Sequence, residues 1–337
     1  MKVKSFKRFG MFAESIPLPS GHAVEVRCKG PLTIQPASDG QLGVMGVGQS
    51  RVEQTEDRVI VRGNGPVSIK APENVVLSLN VHGPVKVATL PSVRLQVQNV
   101  TGPLIIDAIG DLSFDRITGP VIATDIRGDI QGRQIKGPIT LKRGRGDIHI
   151  ENAIGPLTVD AIAGDVDLTL RGDAFIHPTG DREQTVRIRS RDSVYLTLPA
   201  DARVQGHVRA GEGVRVELDQ GSMTDAEVTL TPGEGEGPVI TLDIEAEGEV
   251  YLGPNPPATA PQPEYTKTTG KGWLARIFES LGGSEPRPTS QPRPRPRSAP
   301  SSAPKPGVSD EQAMILKMVA EGKITAEEAD KLLEALS

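Results

Sequence analysis

The chain has a single cysteine, Cys28, in 337 residues. No disulfide framework can be built from it, so the fold must rest on packing alone. Aromatic residues make up only 3%. That is too few to line a sugar groove, and it argues against a carbohydrate-active β-helix enzyme, which sets paired carboxylates among aromatics. No apolar run reaches the roughly 18 residues of a membrane span. The opening residues, MKVKSFKRFGMFAESIPLPSG, are basic but lack the apolar core and small-residue cleavage site of a secretion signal. The expected location is cytoplasmic, peripheral to the inner face of a membrane. There is no nucleophile elbow, phosphate loop or Cys-His motif. A non-enzyme is expected, with no cofactor, metal ion or small-molecule substrate.

What the chain has in quantity is glycine, 37 residues, and proline, 29. They are placed with a beat. Gly-Pro opens at Gly65, Gly83, Gly102, Gly119, Gly137 and Gly155, and Gly-Asp at Gly110, Gly128, Gly146 and Gly164. The two series interleave with a common period of about eighteen residues. Between the glycines, apolar residues alternate: Ile148 and Ile150; Leu157, Val159 and Ala161; Val166, Leu168 and Leu170. Period two is the strand signal. Proline cannot donate to a ladder and belongs at a strand's first position or at a corner. A unit this short cannot bury its own apolar face, so copies must stack. The expected fold is all-β: a single-stranded parallel β-solenoid (β-helix) of ~18-residue coils. It is followed by a disordered linker carrying one amphipathic helix, and by a C-terminal helical hairpin.

Three regions are expected. Residues 1–255 form the β-solenoid and carry a charge of about −6. Residues 1–29 are its first coil or cap, and Gly30-Pro31 lies close to two periods before Gly65. The glycine-rich LGVMGVGQS (42–50) reads as a loop, and residues 173–252 as longer, less regular coils. Residues 256–308 form a Pro/Arg-rich linker of about +5 that stays extended. Within it, residues 271–282 contain WLARIFESL. At helical pitch Trp273, Leu274, Ile277, Phe278 and Leu281 share one face, opposite Arg276, Glu279 and Ser280. A helix this short is marginal alone. It suits an anionic membrane surface, a cap on the solenoid end or a partner protein.

Residues 309–337 carry about −4. Ser309 with Gln312 and Thr325 with Glu328 make capping boxes, and Gly322 stops the first helix. The hairpin would associate through Ile315, Leu316, Val319, Ile324, Leu332, Leu333 and Leu336. The expected partners are another copy of the chain or another protein through this hairpin, and an anionic membrane surface. Nucleic acid is disfavoured, since the folded part is acidic and the basic linker has no interleaved aromatics.

Three other patterns carry a possible chemistry. Asp111, Asp129, Asp147 and Asp165 recur at eighteen and should stack on one corner. The dense GGxGxD of calcium-binding nonapeptides is absent, so each Asp is expected to bond its own turn. Arg-Gly-Asp occurs at Arg127, Arg145 and Arg171, which follows from the Gly-Asp corner and is not expected to meet a receptor. His22, His82, His149, His177 and His207 show no metal-ligand spacing and are expected at solvated or turn positions.

GPLTVDAIAGDVDLTL (155–170) followed by VYLTLPADARV (194–204) resembles the putative-adhesin β-solenoid family, a bacterial domain of unknown function. The tail ILKMVAEGKITAEEADKLLEAL looks like the short helical domain of the SHOCT type. That pairing implies an envelope-stress protein, a scaffold or sensor working through protein contacts and associated with a membrane surface. The resemblance brings no catalytic residues. A polymer-forming cytoskeletal β-solenoid and a surface adhesin are the alternatives.

Overall fold

The computed structural model describes residues 4–18, 21–55, 57–199, 202–218, 221–233 and 237–255, with backbone alone for 4–12 and 221–223. These residues form 24 strands and no helix, joined by hydrogen bonds into one sheet. The all-β class expected from the alternating glycine-bounded runs is therefore present. The linker helix and the C-terminal hairpin lie outside the described residues.

In the middle of the chain the beat becomes two parallel ladders. One comprises β7 (Val76–His82), β9 (Arg94–Gln98), β11 (Leu112–Thr118), β13 (Ile130–Lys136), β15 (Ile148–Ile154), β17 (Val166–Arg171) and β19 (Gln184–Ser190). The other comprises β8 (Val85–Val87), β10 (Leu104–Ile106), β12 (Val121–Thr124), β14 (Ile139–Gly144), β16 (Leu157–Ile162), β18 (Ala174–Pro178) and β20 (Val194–Thr197). Each strand pairs in parallel with the next of its own ladder: Ile130 lies beside Ile148, and Ile139 beside Leu157. Since the register is one period, identical positions stack. Leu95, Leu112, Ile130, Ile148, Val166 and Val186 make one interior column. Val85, Leu104, Val121, Ile139, Leu157, Ala174 and Val194 make another. Every one of these is at most 2% exposed. Burial of this kind is the main stabilising term, at roughly 25 cal/mol per Å² of apolar surface.

The two glycine corners differ in what they require. Gly137 of a Gly-Pro corner has φ +135°, and a Cβ there would also sit 2.6 Å from the carbonyl oxygen of Gly119. Gly146 of a Gly-Asp corner lacks the positive φ, yet a Cβ would overlap the Gly128 carbonyl. The first corner needs glycine for its dihedral and for close approach, the second for close approach alone. The chain also turns at non-glycine residues. Asn99, Arg116, Gln134 and Asn152 stack with φ of 53° to 56°, and so do Asp125, Arg143 and Ala161.

The ends depart from chain order. Before β7 come β1 (Lys4–Pro17), β2 (Ala23–Lys29), β3 (Leu32–Pro36), β4 (Gln41–Gln54), β5 (Arg58–Asn64) and β6 (Val67–Ala71). β2 pairs in parallel with both β5 and β7, and β3 with both β6 and β8. Gly30 therefore sits between Gly65 and Gly83, not two periods before Gly65. A Cβ on Gly30 would lie 2.8 Å from the Gly65 oxygen, and one on Gly83 would lie 2.7 Å from the Gly30 oxygen.

The stretch expected as a loop is most of β4, which runs antiparallel to β5 and then β6. Its glycines obscured a valid alternation: Leu42, Val44, Ser50 and Val52 are buried while Met45 and Val47 face out. Nor do residues 1–29 form one unit. β1 is paired antiparallel along the whole of β4, from Lys4 beside Gln54 to Pro17 beside Gln41, while β2 lies inside the ladder.

The other end repeats the device with β21 (Arg203–Leu218), β22 (Gly221–Leu230), β23 (Val239–Ala246) and β24 (Glu249–Gly253). β23 inserts between β19 and β21, β24 between β20 and β21, and β22 closes the edge antiparallel to β21. No helix among the described residues is long and apolar enough to cross a membrane.

Candidate functional site: a charged ladder face and its groove

Outward positions of the first ladder carry charges of alternating sign. β19 reads VRIRSR over residues 186–191, and β23 reads LDIEAE over 242–247. Parallel pairing sets Arg187 beside Asp243 and Arg189 beside Glu245. Arg189 Nη2 donates to both carboxylate oxygens of Asp243, at 3.1 and 3.0 Å, and its Nε lies 3.3 Å from Glu245. Arg187 donates to Asp243 at 3.4 Å, and Arg191 lies 4.0 Å from Glu247. On the far side of β23, the basic β21 sets His207 beside Asp243 and Arg209 beside Glu245. β22 then supplies Glu227, 3.1 Å from His207.

The order of strands is thus basic, acidic, basic, acidic. Had β21 followed β19 in chain order, Arg187 and Arg189 would meet His207 and Arg209. Like charges directly opposite destabilise a strand pair, and inserting β23 avoids this. The guanidiniums around Asp243 hold its carboxyl below the usual carboxylate range, the Arg189 hydrogen bonds contributing most.

The pattern continues on the other side. His149 lies 2.9 Å from Glu151 and 3.4 Å from Asp167, and Arg133 lies 3.3 Å from Glu151. Hydrogen bonding from His149 pulls the Glu151 carboxyl down. Beside this face lies a groove of about 980 Å³, lined by Ile154, by Arg171, Arg189, Arg191 and Arg209, and by Glu227, Glu245 and Glu247 among others. Arg171 and Arg209 have no ion-pair partner among the described residues, and Ile154 is 45% exposed.

The aspartate corner does something the sequence did not suggest. Asp129 Oδ1 accepts the N–H of Asp147 at 3.1 Å, and Asp147 Oδ1 accepts that of Asp165 at 2.9 Å. Asp165 and Asp173 accept the N–H groups of Thr185 and Ser193. Each of these four carboxylates therefore satisfies the backbone of the following repeat, not its own turn, and mutual repulsion is offset by a charge-assisted hydrogen bond; Asp111 instead accepts from Arg94 at 3.0 Å. The Asp residues of all three Arg-Gly-Asp triplets are used in this way. Among the described residues no three His, Cys, Asp or Glu gather as a metal site.

Solvated positions fit His149, His177 and His207, whose side chains are 44 to 54% exposed. They are not in turns, however; they stand on β15, β18 and β21, each beside a carboxylate. Cys28 is buried, its thiol donating to the Gly65 carbonyl at 3.2 Å, and desolvation pushes its pKa up to about 11. No reactive thiolate forms there at neutral pH.

Trp273, Leu274, Ile277, Phe278 and Leu281 lie outside the described residues, as do Ile315, Leu316, Val319, Ile324, Leu332, Leu333 and Leu336. The charged face was missed because its halves are far apart in sequence. The available signal was the complementary alternation of VRIRSR and LDIEAE.

Residues 310–337 match the model of the SHOCT-like domain, where the tail resembles that domain. No curated protein matches the chain. Two solved structures are similar. One is a putative adhesin from Bacteroides fragilis, at 10% identity, covering 72% of this chain and 96% of that one, with a TM-score of 0.26. The other is a putative cell adhesion protein from Clostridium sporogenes, at 10% identity, covering 75% and 99%, with a TM-score of 0.20.

Proposed function

We propose that the protein is a non-enzymatic scaffold, a parallel β-solenoid that engages other proteins through its charged ladder face. The observation that supports this most is the groove holding Arg171 and Arg209 unpaired beside the ion-paired β19 and β23. A stiff sheet keeps such groups fixed, so little order is lost on binding. On this reading the terminal SHOCT-like segment joins the scaffold to a partner or a second copy through Ile315, Leu316, Val319, Ile324, Leu332, Leu333 and Leu336. The Trp273 face meets an anionic membrane from the cytoplasmic side, in an envelope-stress role. No cofactor is involved.

The permuted ends, each finished by an antiparallel strand, disfavour the polymer-forming alternative, because head-to-tail stacking needs a continuing parallel edge. The test is capture of acidic partners by the full chain compared with Arg171→Glu/Arg209→Glu. Loss of the captured proteins from the variant is expected; equal capture would sink the reading. Trp273 fluorescence titrated with anionic vesicles checks the membrane part. A salt-sensitive blue shift is expected, and a spectrum unmoved by lipid would remove that part.

A further inference from the structure

Between the end of each second-ladder strand and the following corner the chain forms a third side. Along it the backbone N–H groups of Arg127, Arg145, Ala163 and Thr179 donate to the carbonyls of Ile109, Ile126, Gly144 and Ile162, each at 3.0 Å. These four residues therefore stack in one column, while Asp125, Arg143 and Ala161 stack in a second. Both columns line a groove of about 520 Å³, which extends to Thr89, Pro91 and Ala108 on earlier coils and to Asp181 on the later side.

The charges in this groove are divided between its ends. Arg127 and Arg145 open two of the Arg-Gly-Asp triplets, whose aspartates are taken up by the ladder. Neither guanidinium has an ion-pair or hydrogen-bond partner among the described residues. They stand one strand spacing apart, ~4.8 Å, and like charges so placed repel. Asp125 does not relieve them, because Arg143 holds it at 2.8 Å. Arg182, at the rim, donates to the carbonyls of Ala163 and Arg145 and lies 3.9 Å from Asp147. At the other end Asp181 is unpaired among the described residues, and the Thr179 hydroxyl is buried with no hydrogen-bond partner there. One end thus calls for an oxyanion, which paired guanidiniums bind well, and the other for a cationic donor. Between them Ala161 and Ala163 present only methyl groups, and the backbone N–H groups of the column are already used. A peptide laid along this floor would leave its own amides unpaired, whereas a methylene chain would not.

We propose that this groove binds a slender dipolar ligand of the ω-amino carboxylate class. Its carboxylate lies between Arg127 and Arg145, and its ammonium donates to Asp181 and to Thr179 Oγ1. Arg145 and Thr179 are two strand spacings apart, ~10 Å, a span that a pentamethylene chain covers with the arginine side chains reaching inward. The site shares no residue with the groove of Arg171 and Arg209, and it does not rest on the scaffold reading.

The experiment is calorimetric titration of the full chain with 6-aminohexanoate, with hexanoate and hexylamine as controls that carry one end each. Arg127→Gln/Arg145→Gln, Asp181→Asn and Ala163→Leu are compared, with circular dichroism melts confirming each fold. Binding of 6-aminohexanoate about ten-fold or more tighter than either control is expected. Arg127→Gln/Arg145→Gln and Asp181→Asn should each lose that advantage, and Ala163→Leu, which fills the groove without changing its charge, should lose binding of all three compounds. Arg171→Glu/Arg209→Glu should bind 6-aminohexanoate as wild type does, which separates this site from the scaffold surface. Absence of binding at millimolar 6-aminohexanoate would overturn the inference. So would unchanged binding in Ala163→Leu, which would put the ligand elsewhere. Hexanoate binding as tightly as 6-aminohexanoate, with no effect of Asp181→Asn, would overturn the dipolar assignment and leave a simple oxyanion site.

Discussion

Ala161 holds φ at +54°, a conformation that a side chain with a Cβ adopts only at a cost. Its column neighbours Asp125 and Arg143 share the dihedral and are joined by a 2.8 Å ion pair. Ala161 has no polar side chain to make such a contact. Ala161→Gly should therefore stabilise the protein by about 1 kcal/mol, read as a rise in Tm, whereas Asp125→Ala should not. Asp243 gives the converse case. Its folded-state pKa is depressed, so it contributes stability at pH above its ordinary value of 3.8, and that stability is lost as pH falls through the folded value. Its exposed setting limits the effect to about 1 kcal/mol. Asp243→Asn should melt earlier than wild type at neutral pH, and the two curves should converge as pH falls through the depressed folded-state value. At this scale the sequence was partly legible. Glycine identified half of the corners. The corners at Gln134, Asn152 and Ala161 were hidden, because no residue type marks them.

Among elements, the pairing of β19 with β23 is set by charge as well as by the aliphatic residues Val186 and Ile188. Asp243→Lys/Glu245→Lys would set two cations between the basic β19 and β21, facing Arg187 and Arg189 on one side and His207 and Arg209 on the other. It should lower stability by roughly 2 kcal/mol, read as a fall in Tm, and Asp243→Asn/Glu245→Gln, which removes the attraction without adding repulsion, should lose less. A wild-type Tm in the lysine variant would mean that apolar packing alone selects the partner. The same comparison explains what was illegible. Period-two alternation in residues 41–54 was present in Leu42, Val44, Ser50 and Val52, but Gly43, Gly46 and Gly48 gave the stretch the composition of a loop. Strand direction, too, depends on the neighbour, and β4 is antiparallel only because β5 and β6 offer it their edges.

For the whole molecule, periodicity revealed the repeats and their register but could not reveal their order. An isolated repeat carries no label for its neighbour, and Gly30 stacks as well on Gly65 as on Gly83. The permutation has a measurable result. Removing residues 1–18 takes away only the outermost β1 and should leave a protein that melts cooperatively. Removing residues 1–38 withdraws β2 and β3 from between two pairs of occupied strands, opening a gap in the column, and should yield an aggregated product. Circular dichroism melts and size-exclusion profiles of the two truncations check this. A well-folded 39–337 fragment would show that the gap can close.

The buried position of β2 and β3 also bears on how the protein is made. As the chain leaves the ribosome these strands emerge before their partners, and one side waits for residues 58–71 and the other for residues 76–87. At the far end β21 is synthesised before the β23 it must rest against. The nascent chain therefore cannot zip up in the order of its synthesis. It must hold its first and last ladder strands open until later ones arrive, a delay in which unpaired edges call for shielding.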